Sequence, residues 1–387
     1  MNEMKIVFLS AYLNNHQMPL ADEMYRLTSN HFLFIETLRE LQRKKRLGNG
    51  TAKVPYVLHE YLDSERALCR AAVEEADIAI AGATFDDVLC HRIKSNKIIF
   101  RYSERPLKTG NNLLKYPIRF LKWHWRNPPG KPIYMLCASA FTSEDYAKFG
   151  LFKNRCYKWG YFPETRRYSD FERLLDNKAR NTLLWCGRFL DWKHPDDALE
   201  IARRLKAAGV PFVLKLIGGG PLEAALYRQA TDDGLLDCVE FLGTMPPESV
   251  RDAMEQAGIF LFTSDRREGW GAVLNEAMNS GCAVVASDAI GSVPYLVKDR
   301  ENGLVYHSGS VDELLEKVIW LLDRPEQQRR LGENACRTIT ELWNAQVAAE
   351  RFIQLAQAIL DGDPSPELFP EGPCSRAEVI REDWYRG

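Results

Sequence analysis

Gly258-Ile259-Phe260-Leu261-Phe262-Thr263-Ser264, then Glu268-Gly269-Trp270-Gly271-Ala272-Val273-Leu274-Asn275-Glu276, then Gly281-Cys282-Ala283-Val284-Val285-Ala286-Ser287 is the stretch that decides the fold. The first run reads as a buried strand, residues 272–280 as a helix closed by Gly281, and residues 282–287 as a second buried strand. A strand, loop, helix, strand unit puts Glu268 on the loop at the carboxyl end of a parallel strand, where ligands of open α/β sheets bind. Glu276 then lies one to two turns into the helix. Two helical residues so spaced would be well separated along the axis, but with the first acid in the loop both face one crevice. Gly269 and Gly271 remove side chains where backbone approaches a ligand, and the helix start leaves amides free for an anion or hydroxyls. Carboxylates beside amides suit a polyhydroxylated ligand carrying phosphate. The spacing alone fits better a solvated acid before a helix and an acid on its exposed face; the flanking sequence reverses that in favour of a site.

The same alternation extends in both directions. Apolar runs at 6–9, 32–35, 78–81, 98–100 and 133–137 alternate with helical stretches such as 63–75 and 143–149, which implies a parallel sheet covered by helices. Runs at 183–186, 212–217, 239–242, 259–262 and 283–286 repeat the pattern, giving two successive doubly wound α/β domains. Gly160-Tyr161-Phe162-Pro163-Glu164-Thr165 and the charged residues 166–180 read as the crossover. The expected division is residues 1–162, residues 163–342, and a helical tail at 343–387. At 387 residues the chain is long for a single core, and it shows no internal repeat.

Composition excludes several classes. Hydrophobic residues at 45% and charged residues at 27% are those of an ordinary soluble globular protein. A net charge of −2 argues against bulk nucleic-acid binding. The start lacks the sections of a secretory signal and no apolar span approaches the roughly 20 residues of a membrane helix, so a cytoplasmic protein is expected. The nine cysteines fall singly, indicating core residues rather than a zinc knuckle or a disulfide framework. Asn49-Gly50-Thr51 has the form of a glycosylation site, a reading that lapses without secretion.

Three more signals accompany the Glu pair: Gly187-Arg188-Phe189-Leu190-Asp191-Trp192-Lys193, Gly218-Gly219-Gly220-Pro221 and Asn302-Gly303-Leu304-Val305; the run 276–287 is a fourth. With them, residues 183–306 resemble the carboxyl-terminal half of a family 4 retaining glycosyltransferase (glycosyl transferases group 1). The resemblance implies a GT-B fold, two Rossmann-like domains facing a central cleft, with the acceptor in the first, a nucleotide-diphosphate sugar in the second, and the tail from about 343 crossing back to the first. It casts Arg188 and Lys193, beside Gly187, as holders of the donor diphosphate, and Glu276 as acceptor of hydrogen bonds from the ribose hydroxyls. Glu268 falls at the transferred sugar, with the amides of Gly269, Trp270, Gly271 and Ala272 serving sugar and phosphate. Gly219, Gly220, Thr244 and Met245 line the base and ribose pocket. Retention by double displacement would need a carboxylate nucleophile at the anomeric carbon. The family implies instead a front-face substitution in which the donor phosphate helps deprotonate the acceptor, so Glu268 positions the sugar. No cofactor and no metal are expected. The product fits bacterial surface polysaccharide or glycolipid assembly.

The first half departs from that family. Where a paired-glycine loop is usual after the first strand, this chain has Ala11-Tyr12-Leu13-Asn14-Asn15-His16-Gln17-Met18-Pro19-Leu20. Asn14, Asn15, His16 and Gln17 are therefore candidate acceptor contacts, and His16 is a candidate proton carrier, with a local structural role the alternative. In Phe100-Arg101-Tyr102-Ser103-Glu104-Arg105-Pro106, Glu104 and Arg105 either join the acceptor site or pair with each other. Residues 107–132 contain Lys108, Lys115, Arg119, Lys122, Arg126 and Lys131 among Tyr116, Phe120, Trp123 and Trp125, and no acid. Such a segment suits an anionic membrane surface or a lipid diphosphate acceptor, making the protein peripheral at the inner membrane face; the alternative is a helix packed by its aromatic side with its lysines in water. Asp361-Gly362-Asp363 mimics a metal-binding Asp-x-Asp but reads as a turn. Two other functions compete: a nicotinamide dehydrogenase, disfavoured by the missing Gly-x-Gly-x-x-Gly after the first strand, and a non-catalytic sugar-nucleotide-binding scaffold.

Overall fold

Runs rich in Ile, Val and Phe bury both faces in a parallel sheet because crossover helices cover each side. In the computed structural model, which describes residues 4–38, 54–82, 86–110 and 113–386, those runs form two such sheets. The Asn49-Gly50-Thr51 triplet lies outside the described residues.

The first domain contains β1 (Ile6–Ser10), β2 (Phe32–Glu36), β3 (Val57–His59), β4 (Ile78–Ala81), β5 (Ile98–Ser103), β6 (Ile133–Cys137) and β7 (Cys156–Lys158). They pair in parallel in the order β3-β2-β1-β4-β5-β6-β7, Ile6 lying in register with both Phe32 and Ile78. The order reverses between β1 and β4, so the crevice for a ligand opens beyond Ser10 and Ala81. Strands β3 and β7, three residues each, were too short to be read from the apolar pattern.

The second domain contains β8 (Ala179–Cys186), β9 (Val213–Ile217), β10 (Val239–Gly243), β11 (Ala257–Phe262), β12 (Ala283–Ser287) and β13 (Leu304–Tyr306). Their order, β10-β9-β8-β11-β12-β13, reverses between β8 and β11. Leu183, Leu214, Leu216, Ile259, Leu261 and Val285 from these strands share one buried core with Ala198, Leu199 and Leu205 of helix Pro195–Ala207. Fully burying each of the larger side chains is worth about 1.5–3 kcal/mol, which sets the rigidity of the loops these strands carry.

Contacts divide the chain into one unit of residues 1–164 and 343–381 and another of residues 165–342 with the residues from 382 onward. Helix Ala345–Leu360 begins at Asn344, whose side chain accepts a hydrogen bond from the Val347 amide at 2.9 Å. It belongs to the first unit, where buried Phe352 meets Phe100 and Trp159 at 4.9 and 5.8 Å between ring centres. Asp361-Gly362-Asp363 is a turn after that helix: Gly362 has φ +104° and the Asp363 carboxylate accepts from the Ser365 amide at 2.9 Å. The last residues join the second unit. There Glu382 pairs with Arg266 at 2.7 Å, the Trp384 indole donates to the Asp288 carbonyl at 2.9 Å, and Tyr385 lies 5.0 Å from the His307 ring. All nine cysteines are free thiols. Among the described residues no helix is long and apolar enough to cross a membrane.

Candidate active site

In the second domain the site grows from the loop after β8. The Gly187 amide donates to the Ile217 carbonyl at 3.0 Å, and the Phe189 amide to the Gly219 carbonyl at 3.0 Å. The glycine run lets the loop after β9 press against this loop backbone to backbone: a Cβ on Gly218 (φ +135°) would strike the Gly187 carbonyl oxygen, and one on Gly220 (φ +157°) would lie 2.7 Å from the Phe189 carbonyl oxygen. A Cβ on Gly219 would stand 3.3 Å from the Thr244 hydroxyl, so Gly187, Gly219, Gly220 and Thr244 are neighbours, with half-buried Met245 next in the chain. Arg188 projects from this interlock with its guanidinium exposed and, among the described residues, unpaired.

The turn Asp191–Lys193 follows, and His194, at φ +47°, leads into helix Pro195–Ala207. The Thr263 hydroxyl at the end of β11 hydrogen-bonds the Lys193 and His194 carbonyls at 2.7 and 2.9 Å and accepts from the Trp185 indole at 2.8 Å. The Asp265 amide donates to the Trp192 carbonyl at 2.9 Å. This stitching brings Lys193 onto Glu268. The pair is largely buried, at 14% and 12% side-chain exposure. Both the Lys193 ammonium and the Ser264 hydroxyl (3.1 Å) donate to Glu268 Oε2. Among the described residues nothing donates to Oε1, which stays able to accept from a ligand hydroxyl.

Gly271, at φ +78°, is required twice over, since a Cβ there would run into the Phe262 ring and stand 3.2 Å from Glu268 Cγ. Among the described residues the amides of Gly269, Gly271 and Ala272 have no acceptor. Trp270 contributes backbone only: its side chain is wholly buried and donates to Asn275 Oδ1 at 2.9 Å. Glu276 sits in the first turn of helix Val273–Asn279. Its carboxylate accepts no hydrogen bond among the described residues. Burial pushes its pKa up, against the opposing charges of Arg251 and Arg166. The Cys186 thiol is pushed up by burial and then by the Glu276 charge, which sets that carboxylate beside the end of β8. Glu268, Glu276, Lys193 and the free amides thus converge on the reversal between β8 and β11.

His194, Asp196 and Asp197 have ligand atoms all within 4.8 Å of one another, close enough for a cation. The two acids also occupy the first turn of a helix, where its dipole favours negative charge. Burial pushes the Asp197 carboxyl up to about 6; nearby His194 opposes this while Asp196 and Glu200 add to it.

The first domain holds a cavity of about 410 Å³ at its own reversal point, reaching from Ser10 and Gly82 to Tyr102, Trp123 and Tyr161. Asn14, Gln17 and Glu104 line it; Asn15, His16 and Arg105 do not. Gln17 is only 5% exposed and its Oε1 has no partner among the described residues. Asn14 also shapes the turn into helix Met18–Leu27, its side chain accepting from the His16 amide at 3.0 Å and its carbonyl from the Gln17 and Met18 amides at 2.9 Å. His16 stacks 6.2 Å from Tyr161, with Nδ1 buried and unpartnered among the described residues, and burial lowers its pKa. Glu104 accepts from the Tyr161 hydroxyl at 2.6 Å and pairs with Lys108. Arg105, expected at the acceptor, is instead buried against Asp145, 3.2 Å away, beneath the Phe141 ring. A cation held between a buried carboxylate and an aromatic face is a structural anchor.

Several residues of the two sites escaped the sequence reading. Thr263 and Ser264 close the quoted apolar run, and hydroxyls at the carboxyl end of a buried parallel strand were a usable signal. Arg101 and Tyr102 lay inside the quoted 100–106 stretch, and Tyr161 inside the crossover. Arg251, which donates to Asn279 Oδ1 at 2.6 Å, carries no local signal at all.

The chain is similar to known proteins over part or most of its length. The chain is 34% identical over 137 residues to the amylovoran biosynthesis glycosyltransferase AmsK of Erwinia amylovora, covering 34% of this chain and 33% of that one. It is 28% identical over 200 residues to a GDP-mannose-dependent alpha-(1-6)-phosphatidylinositol monomannoside mannosyltransferase of Mycobacterium tuberculosis, covering 49% and 51%. The chain therefore spans a third to a half of the length of these curated relatives. Among solved structures, Anabaena HepE in complex with UDP superposes with a TM-score of 0.68 at 16% identity, over 92% of this chain and all of that one. A glycosyltransferase from Rickettsia africae gives 0.68 at 12%, over 94% and 100%. These matches are to glycosyltransferases. The chain has the GT-B fold, two Rossmann-like α/β domains, and residues 167–338 of its second domain match the family model described as glycosyl transferases group 1.

Proposed function

We propose that this protein is a hexosyltransferase that takes a nucleotide-diphosphate sugar in its second domain and passes the sugar, with retention and without a metal, to a glycan or lipid-linked acceptor in surface polysaccharide or glycolipid assembly. The observation that carries the reading is the convergence of Lys193, Glu268, Glu276 and unpaired amides beyond β8 and β11, with Arg188 exposed beside them. A departing nucleoside diphosphate concentrates negative charge, and fixed cations and amides aimed at it are the main electrostatic means of stabilising it. Arg188 supplies a planar fork of donors and Lys193 a compact ammonium. Glu276, with no donor on its carboxylate among the described residues, accepts from the two ribose hydroxyls; Gly219, Gly220, Thr244 and Met245 flank the base.

Glu268 positions the sugar. A carboxylate oxygen already holding an ammonium and a hydroxyl is a poor nucleophile, whereas Oε1 accepts from a sugar hydroxyl at little cost. The reading therefore favours front-face substitution: the acceptor oxygen attacks the anomeric carbon as the bond to phosphate breaks, and the acceptor proton passes to the departing phosphate oxygen. The acceptor binds in the first domain, where Asn14, Gln17 and Glu104 line the cavity and His16, its pKa lowered by burial, stacks on Tyr161. The relatives named above include a GDP-mannose-dependent enzyme and a neighbour solved with UDP, so both bases enter the test.

The test is thermal shift against GDP, UDP and ADP, each with and without EDTA. A nucleotide at 100 times its dissociation constant stabilises by about 2.7 kcal/mol. One base should raise Tm equally with and without EDTA, and Arg188→Ala and Lys193→Ala should each remove most of the rise. No shift with any nucleotide would refute the reading, and a shift abolished by EDTA would refute metal independence.

A further inference from the structure

Glu268 stands on a loop outside the regular elements, between β11 and helix Val273–Asn279, and a second such loop follows β12. The two are joined by backbone. The Glu268 amide donates to the Asp265 carbonyl at 3.0 Å, and the Glu268 carbonyl accepts from the Gly291 amide at 3.2 Å. The Ser292 hydroxyl donates to the Trp270 carbonyl at 2.5 Å. Loop 288–292 therefore sets where loop 265–271 lies, and with it the Glu268 carboxylate. Residues 382–385 hold both loops from outside. Glu382 pairs with Arg266, two positions before Glu268, at 2.7 Å. The Trp384 indole donates to the Asp288 carbonyl at 2.9 Å, three positions before Gly291. Asp288 is itself fixed, its amide donating to the Tyr306 carbonyl at 2.9 Å and its carboxylate accepting from the Ser308 amide at 2.8 Å. Tyr385 seats the segment: it is buried, its ring lies 5.0 Å from that of His307, and its hydroxyl accepts from the Lys317 ammonium at 3.4 Å.

We propose that residues 382–385 form a strap that positions Glu268 for the transferred sugar, with Glu382 and Trp384 as positioning residues that touch neither nucleotide nor sugar. The proposal rests on the donor-site reading, in which Glu268 meets the sugar while Arg188 and Glu276 serve the nucleotide. An exposed ion pair adds little stability of its own, and among the described residues the buried core of the second domain contains none of Glu382, Trp384 and Tyr385. The contribution of the strap is placement. A ligand group carried on a loop is held to the accuracy that binding needs only when its neighbours lock it, and the strap ties down one loop at Arg266 and the other at Asp288. Arg188 and Glu276 depend on neither tie: Arg188 follows β8, where the Gly218–Gly220 run interlocks with it, and Glu276 rides on helix Val273–Asn279. Loosening the strap therefore costs affinity for the sugar and spares affinity for the nucleotide.

Titration calorimetry of the full chain with GDP, GDP-mannose, UDP and UDP-glucose tests it. Two variants are compared with the wild type: Trp384→Phe, which keeps a ring but has no N–H to donate, and Glu382→Lys, which sets two cations together at Arg266. Each should weaken binding of the nucleotide sugar about tenfold, the lower value for one hydrogen bond to a charged group. Each should bind the matching nucleoside diphosphate as the wild type does, which also shows that the domain is folded. Variants that bind the nucleotide sugar as the wild type does would overturn the strap alone. So would equal losses for nucleotide and nucleotide sugar, because the tail would then support the domain as a whole rather than Glu268. A wild-type protein that binds none of the four probes would instead sink the donor-site reading, and the strap with it.

Discussion

Gly218→Ala is the sharpest perturbation of the proposed donor site, because it acts on the contact that positions Arg188 without touching any proposed ligand group. At φ +135° an L side chain is strained, and its Cβ would strike the Gly187 carbonyl oxygen, a backbone atom that no rotamer change can move. The backbone strain costs about 1–3 kcal/mol, and forcing the two loops apart costs about 1–3 kcal/mol more. At about 2–4 °C per kcal/mol for a domain of this size, the middle of that range lowers Tm by about 8–16 °C. The control is Gly234→Ala, where φ is +66° and nothing lies within 4 Å of the added carbon. It carries only the left-handed backbone penalty of about 1–2 kcal/mol, or about 2–8 °C. Calorimetry on both variants measures the difference. The nucleotide-induced shift should also shrink in Gly218→Ala alone, since displacing Gly187 carries Arg188 with it. If the two variants melt together and bind nucleotide alike, the interlock between the glycine run and the Arg188 loop does not position the site.

Glu276→Gln should weaken nucleotide binding tenfold to a hundredfold, the value of about 1.5–3 kcal/mol for hydrogen bonds to a charged group. Because burial raises the Glu276 pKa and the proposed contact to the ribose needs the ionised form as acceptor, wild-type affinity should fall on acidification at a pH above the usual carboxylate range. Titration calorimetry across pH should show that acid limb, and its survival in Glu276→Gln would assign it to another group. Asp197→Asn should be neutral below about pH 4 and stabilising above about pH 6, because a carboxyl raised to about 6 in the fold costs stability as pH climbs through that window. Two units correspond to about 3 kcal/mol. Partial exposure and the lost charge at the helix start reduce this to about 1 kcal/mol net. Urea unfolding at the two pH values measures it, and equal stability of variant and wild type at neutral pH would contradict the assignment.

The second domain was more legible than the first for a physical reason. Its ligand groups sit on loops between strands buried on both faces, so apolar runs such as 259–262 and 283–286 announce themselves and the polar residues after them inherit a known position. Glycines with no conformational alternative, Gly218, Gly220 and Gly271 among them, add a second visible constraint. The first-domain cavity is built instead from side chains brought together by register: Tyr102 and Arg101 on β5, Trp123 on a helix and Tyr161 on the crossover. None of these residue types is unusual where it stands. Arg105 was misplaced because a charged residue after a strand looks alike in sequence whether it meets a ligand or the buried Asp145. Arg251 shows the limit from the other side, its role set by Asn279 across the domain.

Residues 165–342 form the second domain almost without interruption, yet the tail from 382 returns to it through Arg266, Asp288 and His307. Recombination that moved only the continuous block between two proteins of this fold would exchange the docking points and leave Glu382, Trp384 and Tyr385 behind on the old chain. The heritable module is thus split, and chimaeras meant to exchange the second domain must graft both pieces together.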